Sequence, residues 1–291
     1  MIRISVRACL GSLLLCLILT GCVNISSSDV FLSSVSQQPT DAAPLTECNS
    51  EVSAQLSGEQ GRGIESDNIR FINWNIYKGN LEGWLSDLEI YAEQHDVMTL
   101  QEAMLRDELT SLLSEHDFDW TLNIAFKLNG RASGVMNVAT ASPLYQCGFR
   151  VVEPIMRTPK TVLVSYYSLE GYDKPLLVAN IHGINFSLGL GSYRNQLSQL
   201  HDALQHHDGP MILAGDFNSW SAGRMSEVEA LVADLSLSSL QYKVNASTRI
   251  FGRAVDHVFY RGLDVVSHEV FEVTSSDHNP ISVHFNLRAD A

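Results

Sequence analysis

The stretch Met211-Ile212-Leu213-Ala214-Gly215-Asp216-Phe217-Asn218-Ser219-Trp220 decides how this chain reads. Four apolar residues in a row predict a short buried strand. Gly215 breaks the run and permits a tight turn. Asp216 and Asn218 follow two apart, and residues two apart in an extended chain point to the same side. A carboxylate and an amide projecting together from a buried strand end suit a phosphate and the water that attacks it. Asp, Asn and Ser also favour turns for purely local reasons, so the stretch alone leaves a plain polar strand end open.

Four similar clusters lie outward from it. Ile69 to Asn75 reads as a strand ending in Asn73-Trp74-Asn75-Ile76-Tyr77, and Asp96 to Leu100 as a second strand delivering Gln101 and Glu102. Leu176 to Ala179 delivers Asn180, His182 and Asn185. Val255 to Tyr260 carries Asp256, and Ser275-Ser276-Asp277-His278-Asn279-Pro280 precedes a last strand, Ile281 to Phe285. Apolar residues at helical spacing predict helices over Leu81–Tyr91, Arg106–Glu115, Tyr193–Leu204 with Ser192 as N-cap, and Gly223–Leu235. Strands and helices interleave in both halves after residue 67, which predicts one α/β domain of two sheets over 67–291. Acids and imidazoles at strand ends are costly when buried without partners. They make sense where they converge on one wet cleft that holds a cation.

The 291 residues are 45% hydrophobic and 18% charged, as expected for a globular protein with a sizeable core. The formal net charge of −14 excludes a general polyanion-binding surface and leaves room only for a local one. At the N-terminus, Arg3 and Arg7 precede an apolar run from Leu10 to Leu19, the layout of a secretory signal over 1–21. The run is short for a membrane span. It ends in Leu19-Thr20-Gly21-Cys22, which resembles the lipobox of bacterial lipoproteins. That resemblance implies cleavage before Cys22, its acylation, and attachment to the bacterial cell envelope; Val23 beside it implies the outer membrane. A plain signal peptide and an uncleaved anchor are the alternatives.

Residues 22–66 read as the lipidated Cys and a flexible tether rich in Ser, Thr, Gln, Pro and Gly. As a random coil, residues 26–66 would span on the order of 35 Å. Cys48 and Cys147 are the two cysteines left once the signal and Cys22 are set aside. They form a candidate disulfide in an oxidising compartment, or two unrelated thiols.

Asn75 in "WN", "QE" at 101–102, "NIH" at 180–182, "GDFN" at 215–218, "VDH" at 255–257 and "SDHNP" at 276–280, in that order, resemble the endonuclease/exonuclease/phosphatase superfamily over about residues 69–287. The wording is similar to its YafD-like branch. The resemblance implies the four-layer α/β/β/α sandwich of DNase I-like proteins and a metal-dependent phosphoesterase. It further implies that Glu102 is the principal ligand of Mg²⁺ or Mn²⁺, with Asn75 beside it and Asp277 near the metal. Under the same resemblance His278 contacts the phosphate or takes the proton of the attacking water, and Asp256 orients its ring. Asp216 and Asn218 position the nucleophile and phosphoryl oxygens, and His182 stabilises charge or protonates the leaving oxygen. Tyr77 stands where some repair nucleases carry an acid or amide, which argues against close kinship to abasic-site enzymes. His257, His268 and His284 match no motif and read as structural, and Trp220 reads as packing.

Two basic segments stand out against the acidic whole. Lys127, Arg131, Arg150, Arg157 and Lys160 face Glu153 alone, and Lys243, Arg249, Arg253 and Arg261 face Asp256 alone. They are expected to flank the cleft and grip a phosphate-bearing substrate, with Arg131, Arg253 and Asn185 as the substrate-binding candidates; a solvated surface is the bland alternative. Nucleic acid is the first substrate expectation. A membrane phosphodiester (phospholipase C- or sphingomyelinase-like) and a small phosphoester are the alternatives, and a non-catalytic binding module is the reading from another class. A monomer is expected.

Overall fold

Period-two alternation builds both sheets of this protein. In a computed structural model, residues 23–36, 38–43, 48, 62–241 and 246–289 are described. The signal at 1–21, Cys22 and Lys243 lie outside them. The principal strands are β1 (Val30–Ser33), β2 (Ile69–Asn75), β3 (Val97–Met104), β4 (Asp119–Leu128), β5 (Arg131–Ala139), β6 (Tyr145–Val152), β7 (Pro159–Leu169), β8 (Tyr172–His182), β9 (Met211–Asp216), β10 (Asp256–Arg261), β11 (Leu263–Val270) and β12 (Ile281–Leu287). The helices are α1 (Trp84–Gln94), α2 (Asp107–Glu115), α3 (Gly191–Leu204) and α4 (Ala222–Asp234).

One sheet runs β11-β12-β2-β3-β5-β4-β1 and ends in the two-residue strand Thr40–Asp41. The other starts at Ser238–Ser239 and runs β10-β9-β8-β7-β6. The pairs β2–β3 and β8–β9 are parallel, each linked through a helix, so both strands of a pair deliver their C-terminal ends to the same edge. Between the sheets lie Ile69 and Phe71 of β2, Leu176 and Val178 of β8, Ile212 and Ala214 of β9, and Val283 and Phe285 of β12. The alternate residues Ile72 and Trp74 pack outward with Leu88 and Tyr91 of α1 and Leu109 and Leu113 of α2. On the far side, Leu177, Ala179 and Leu213 pack with Tyr193, Leu197 and Leu200 of α3 and Val228 of α4. This is the α/β/β/α sandwich expected from the motifs.

Several local expectations differ from the fold. Ser192 does not cap α3, whose N-cap Leu190 makes no side-chain bond; Ser221 caps α4 by accepting from Arg224 N. Strand β3 continues past Leu100 to Met104, so Gln101 and Glu102 lie within it. Gly215 makes no turn. It sits inside β9 at φ 149°, where a Cβ would meet the Ile181 carbonyl oxygen of β8 at 2.0 Å.

The described part of the tether is not free. Val30-Phe31-Leu32 is an apolar run whose Phe31 is buried with Val135 and Leu163, and β1 covers the open edge of β4 through Phe31↔Asn123, Leu32↔Leu122 and Ser33↔Thr121. Val23–Asn24 adds to the same strand opposite Leu128 and Lys127. Arg150 pairs with Asp29 at 2.8 Å and donates to Ser26 O at 2.5 Å. Cys48 and Cys147 form a disulfide with Cα atoms 5.6 Å apart. Composition hid this because three apolar residues between polar runs carry no periodicity of their own.

The half-buried His207 ring packs edge-on against Tyr166 and bonds Pro210 O at 3.1 Å. Burial pushes its pKa down to about 4, below the ordinary value of about 6.5. Its support for the fold is therefore complete above pH about 6.5 and lost as pH falls through about 4. From about pH 7 to about pH 4, wild type should lose on the order of 1 kcal/mol or more of unfolding free energy beyond the loss in His207→Gln, measured by urea titration. Equal losses would contradict this.

Candidate active site

Each strand that faces the inter-sheet layer turns polar towards the same edge. In β2 the inward positions run Ile69, Phe71, Asn73, Asn75, and in β8 Leu176, Val178, Asn180, His182. A buried amide bridge joins the sheets there. Gln101 Nε2 donates to Asn73 Oδ1 and to Asn180 Oδ1, both at 2.8 Å, while Asn180 Nδ2 donates to Met136 O at 2.9 Å. One step beyond it, the predicted acids and histidines meet.

Asp216 ends β9, buried, and is the hub. Its Oδ1 accepts from Asn218 N at 2.9 Å; its Oδ2 accepts from Asn75 Nδ2 and Asn218 Nδ2, each at 3.3 Å, and lies 3.4 Å from His182 Nε2. Asn218 reaches it by a left-handed backbone at φ 48°, not by extension. Beyond Asp216, His278 Nδ1 lies 2.8 Å from Asp256 Oδ2 and 3.0 Å from Oδ1, leaving Nε2 directed to the cleft, 4.0 Å from Asp216 Oδ2. The loop bearing His278 is pinned to β2: Trp74 Nε1 donates to His278 O at 2.9 Å and Ser276 Oγ to Asn75 O at 2.6 Å.

Glu102 should face outward by strict alternation, since Gln101 already faces inward. A bulge between Leu100 and Ala103, with Glu102 at φ 51°, turns its carboxylate into the cleft instead. There it pairs with Lys78 and lies 3.9 Å from His182 Nε2. Lys160 Nζ is 2.6 Å from that same nitrogen. Lys78, Glu102, Lys160 and His182 line a cavity of about 220 Å³ whose wall includes Phe126, Met156 and Phe186.

The charges set one another. Burial alone would raise the Asp216 and Glu102 carboxyls. For Asp216, the His182 hydrogen bond and the charges of His278, His182 and Lys160 outweigh it and hold the carboxyl far below the usual range. For Glu102, His182, Lys78 and Lys160 do the same. Burial opposes charge on His278, but Asp256 and Asp216 lift it to about 10, so the ring is an imidazolium at neutral pH. Burial pushes the Lys160 ammonium down.

The donor set fits a hard divalent cation. The Glu102 and Asp216 carboxylates and the Asn75 amide could serve as oxygen ligands, Asn75 and Asp216 at strand ends and Glu102 at a bulge within β3, and Asp216, Asp256 and His278 present ligand atoms within 4.8 Å of one another. The imidazole of His278 is already held by Asp256, which leaves the oxygens as the natural ligands.

Not every expected residue joins the centre. Asp277 is exposed at the mouth. Asn185 spends its Oδ1 on Trp220 Nε1 at 3.0 Å. Arg131 is exposed at the start of β5, and Arg253 is exposed in the hairpin Arg249–Ile250 with Arg253–Ala254 that precedes Asp256. The basic segments divide: Arg150 serves the N-terminal segment, Arg261 bonds the carbonyls of Leu235, His207 and Gly209, and Lys160 enters the site. Sequence reasoning missed Lys78 as a site residue and placed Lys160 only in a basic segment flanking the cleft. Lys78 follows directly on the Asn75 cluster, and Lys160 opens the strand beside His182, so their positions held a signal. It missed Glu153 too, whose buried carboxylate takes Asn185 N at 2.6 Å and Phe186 N at 3.0 Å and so orders the loop after His182. His257 is structural, bonding Ser219 Oγ at 2.7 Å.

The model of the Endonuclease/Exonuclease/phosphatase family matches residues 72–278, the span that carries every one of these strand ends. The chain belongs to that family. Its members are phosphoesterase hydrolases that use divalent metals, and this chain is one of them. Solved structures share the fold. The human Nocturnin catalytic domain with bound sulfate superposes with a TM-score of 0.60 at 18% identity, over 78% of this chain and 96% of that one. An endonuclease/exonuclease/phosphatase from Beutenbergia cavernae gives 0.59 at 18%, over 76% and 72%. The mannosyl-6-phosphatase Bt3783 of Bacteroides thetaiotaomicron gives 0.54 at 15%, over 75% and 99%.

Because Gly215 holds Asp216 against β8, Gly215→Ala should cost about 1–3 kcal/mol of stability by overpacking and lower hydrolysis in parallel, read by urea unfolding and turnover. An unchanged unfolding midpoint would contradict the close approach.

Proposed function

We propose that this chain is a divalent-metal-dependent phosphodiester hydrolase anchored in the bacterial envelope. The observation that carries the chemistry is the pairing of an anionic Asp216 with an Asp256-held His278 across one cleft. Glu102, with Asn75 beside it, would hold a hard cation, Mg²⁺ or Mn²⁺, whose positive charge would stabilise the phosphoryl oxygens. Asp216, kept ionised, is the group able to take the proton of the attacking water, and Asn218 fixes its orientation. His278 as an imidazolium donates through Nε2 to a phosphoryl oxygen, while Asp256 holds Nδ1–H and thereby the ring plane. His182 and Lys160, in contact at His182 Nε2, are assigned the leaving oxygen, to which the pair supplies a proton. The exposed Asp277 at the mouth sits where it can add charge to the metal side.

Nucleic acid is the first substrate of this reading, gripped at the rim by Arg131 and Arg253. A membrane phosphodiester is the second, and a specific observation favours it: exposed Phe186, Leu188 and Phe251 stand at the same edge as the site. The anchor is the acylated Cys22, with the outer membrane as its destination and a monomer as the working unit.

Plasmid DNA, RNA and sphingomyelin should be offered to the mature protein with Mg²⁺ or Mn²⁺ and with EDTA. Turnover of at least one is expected, abolished by EDTA and reduced about 10²–10⁴-fold in His278→Ala and in Glu102→Ala. Metal binding with no hydrolysis of any phosphoester would overturn the catalytic reading. Asp256→Asn should retain metal binding while lowering turnover by at least about 10²-fold, read by single-turnover kinetics. Wild-type turnover would remove Asp256 from the mechanism.

A further inference from the structure

We infer that the active-site end of this sandwich lies against the lipid bilayer, so that the cleft opens towards the membrane. The inference rests on the reading of Cys22 as acylated, and it replaces a long flexible leash by a fixed orientation.

The first observation is where the chain emerges from Cys22. Val23, bonded directly to it, pairs with Leu128 at the tip of the β4–β5 hairpin. That tip belongs to the active-site edge: Ser133 of β5 pairs with Met104, two residues past Glu102, and Phe126 of β4 lines the cavity shared by Glu102 and His182. The segment is then stitched down by Ser26 and Asp29 on Arg150 and by β1 on β4. An acyl group on Cys22 is thus separated by one residue from the rim of the site, where a free coil would allow on the order of 35 Å.

The second observation is the surface at that edge. The loop between β6 and β7, the loop after His182 and the hairpin before Asp256 all leave the sheets beside the site. They expose Ile155, Met156, Phe186, Leu188 (90%) and Phe251 (85%). Among the described residues, most of the exposed large apolar side chains lie at this end; Val35, Ile90 and Val266 are the ones placed elsewhere. The third observation is charge. Arg157 and Arg253 are exposed on two of these loops and Arg131 at the β4–β5 hairpin tip, on a chain whose formal net charge is −14. Apolar tips interspersed with arginines match a bilayer with anionic headgroups. A soluble polyanion would match the arginines and leave the apolar tips unexplained, so this orientation favours the membrane phosphodiester of the proposed function over nucleic acid.

Acylation of Cys22 and the Cys48–Cys147 disulfide leave the mature chain without a free thiol, so a new cysteine reports one place. Leu188→Cys and Ile155→Cys at the active-site edge, and Val35→Cys far from it, would each carry an NBD fluorophore on the full acylated protein. The protein would be reconstituted in phosphatidylethanolamine/phosphatidylglycerol vesicles. At positions 188 and 155, NBD emission should rise several-fold on the bilayer, with quenching by lipids brominated in their acyl chains; at 35 it should stay at its aqueous level. Acylated protein on vesicles with an equal response at all three positions, or none at any, overturns the orientation alone. Absence of the acyl mass on Cys22 in the intact-mass spectrum overturns the anchor, and the orientation with it. Hydrolysis in the same samples reads the phosphoesterase chemistry separately.

Discussion

Gln101 donating to Asn73 on its own sheet and to Asn180 on the other is the contact on which the site depends. Apolar layers hold two sheets together but do not fix their sliding, because dispersion and hydrophobic contact are nearly non-directional. Hydrogen bonds across the layer do fix it. Asn137 Nδ2 to Ser165 Oγ at 2.9 Å and Asn123 Nδ2 to Val162 O at 2.7 Å continue the bridge along the sheets. With the register set, Asn75 and Glu102 of one sheet face His182, Asp216 and Asp256 of the other. The bridge has a cost: Asn73 Nδ2, Gln101 Oε1 and Asn137 Oδ1 are buried without a partner among the described residues, each worth about 1–3 kcal/mol of desolvation. A purely apolar layer would avoid that cost and lose the register.

The electrostatics follow from the geometry. Three carboxylates at one edge, Glu102, Asp216 and Asp256, would repel one another; Lys78, His182 and His278 balance them through contacts within 4 Å, and Lys160 lies against His182. Lys78 is the revealing one. Its ammonium pairs with Glu102, the carboxylate proposed to hold the cation, so the ion pair and a bound cation would compete for one carboxylate. The same end of the molecule carries the apolar tips and the exposed arginines, so chemistry and surface point in one direction.

Much of this was legible in the sequence because strand alternation and strand ends are written locally. The Ile69–Asn75 and Leu176–His182 runs show the change from apolar to polar residues that the folded layers display. The Asp216–Asn218 spacing brought the two side chains together, although a left-handed Asn218 does the work and an extended chain does not. Glu102 was found by its motif alone; its inward turn depends on a bulge that no periodicity marks. Lys160 read as part of a basic surface because burial beside His182 is a tertiary fact. The N-terminal segment read as a leash because its anchoring groups, Arg150, Cys147 and the β4 edge, lie about 90 to 130 residues away in sequence. Gly215 was singled out rightly but for a turn, whereas the constraint is the neighbouring Ile181 carbonyl.

The central claim is that the two sheets deliver their strand ends to one cation-binding phosphate centre built around Glu102 and Asp216. Anomalous diffraction from crystals soaked in Mn²⁺ tests it most directly. The account predicts a manganese peak on the Glu102 carboxylate, within reach of Asn75 and Asp216, with Lys78 displaced from its ion pair. A peak elsewhere, with Lys78 still bound to Glu102, would contradict it.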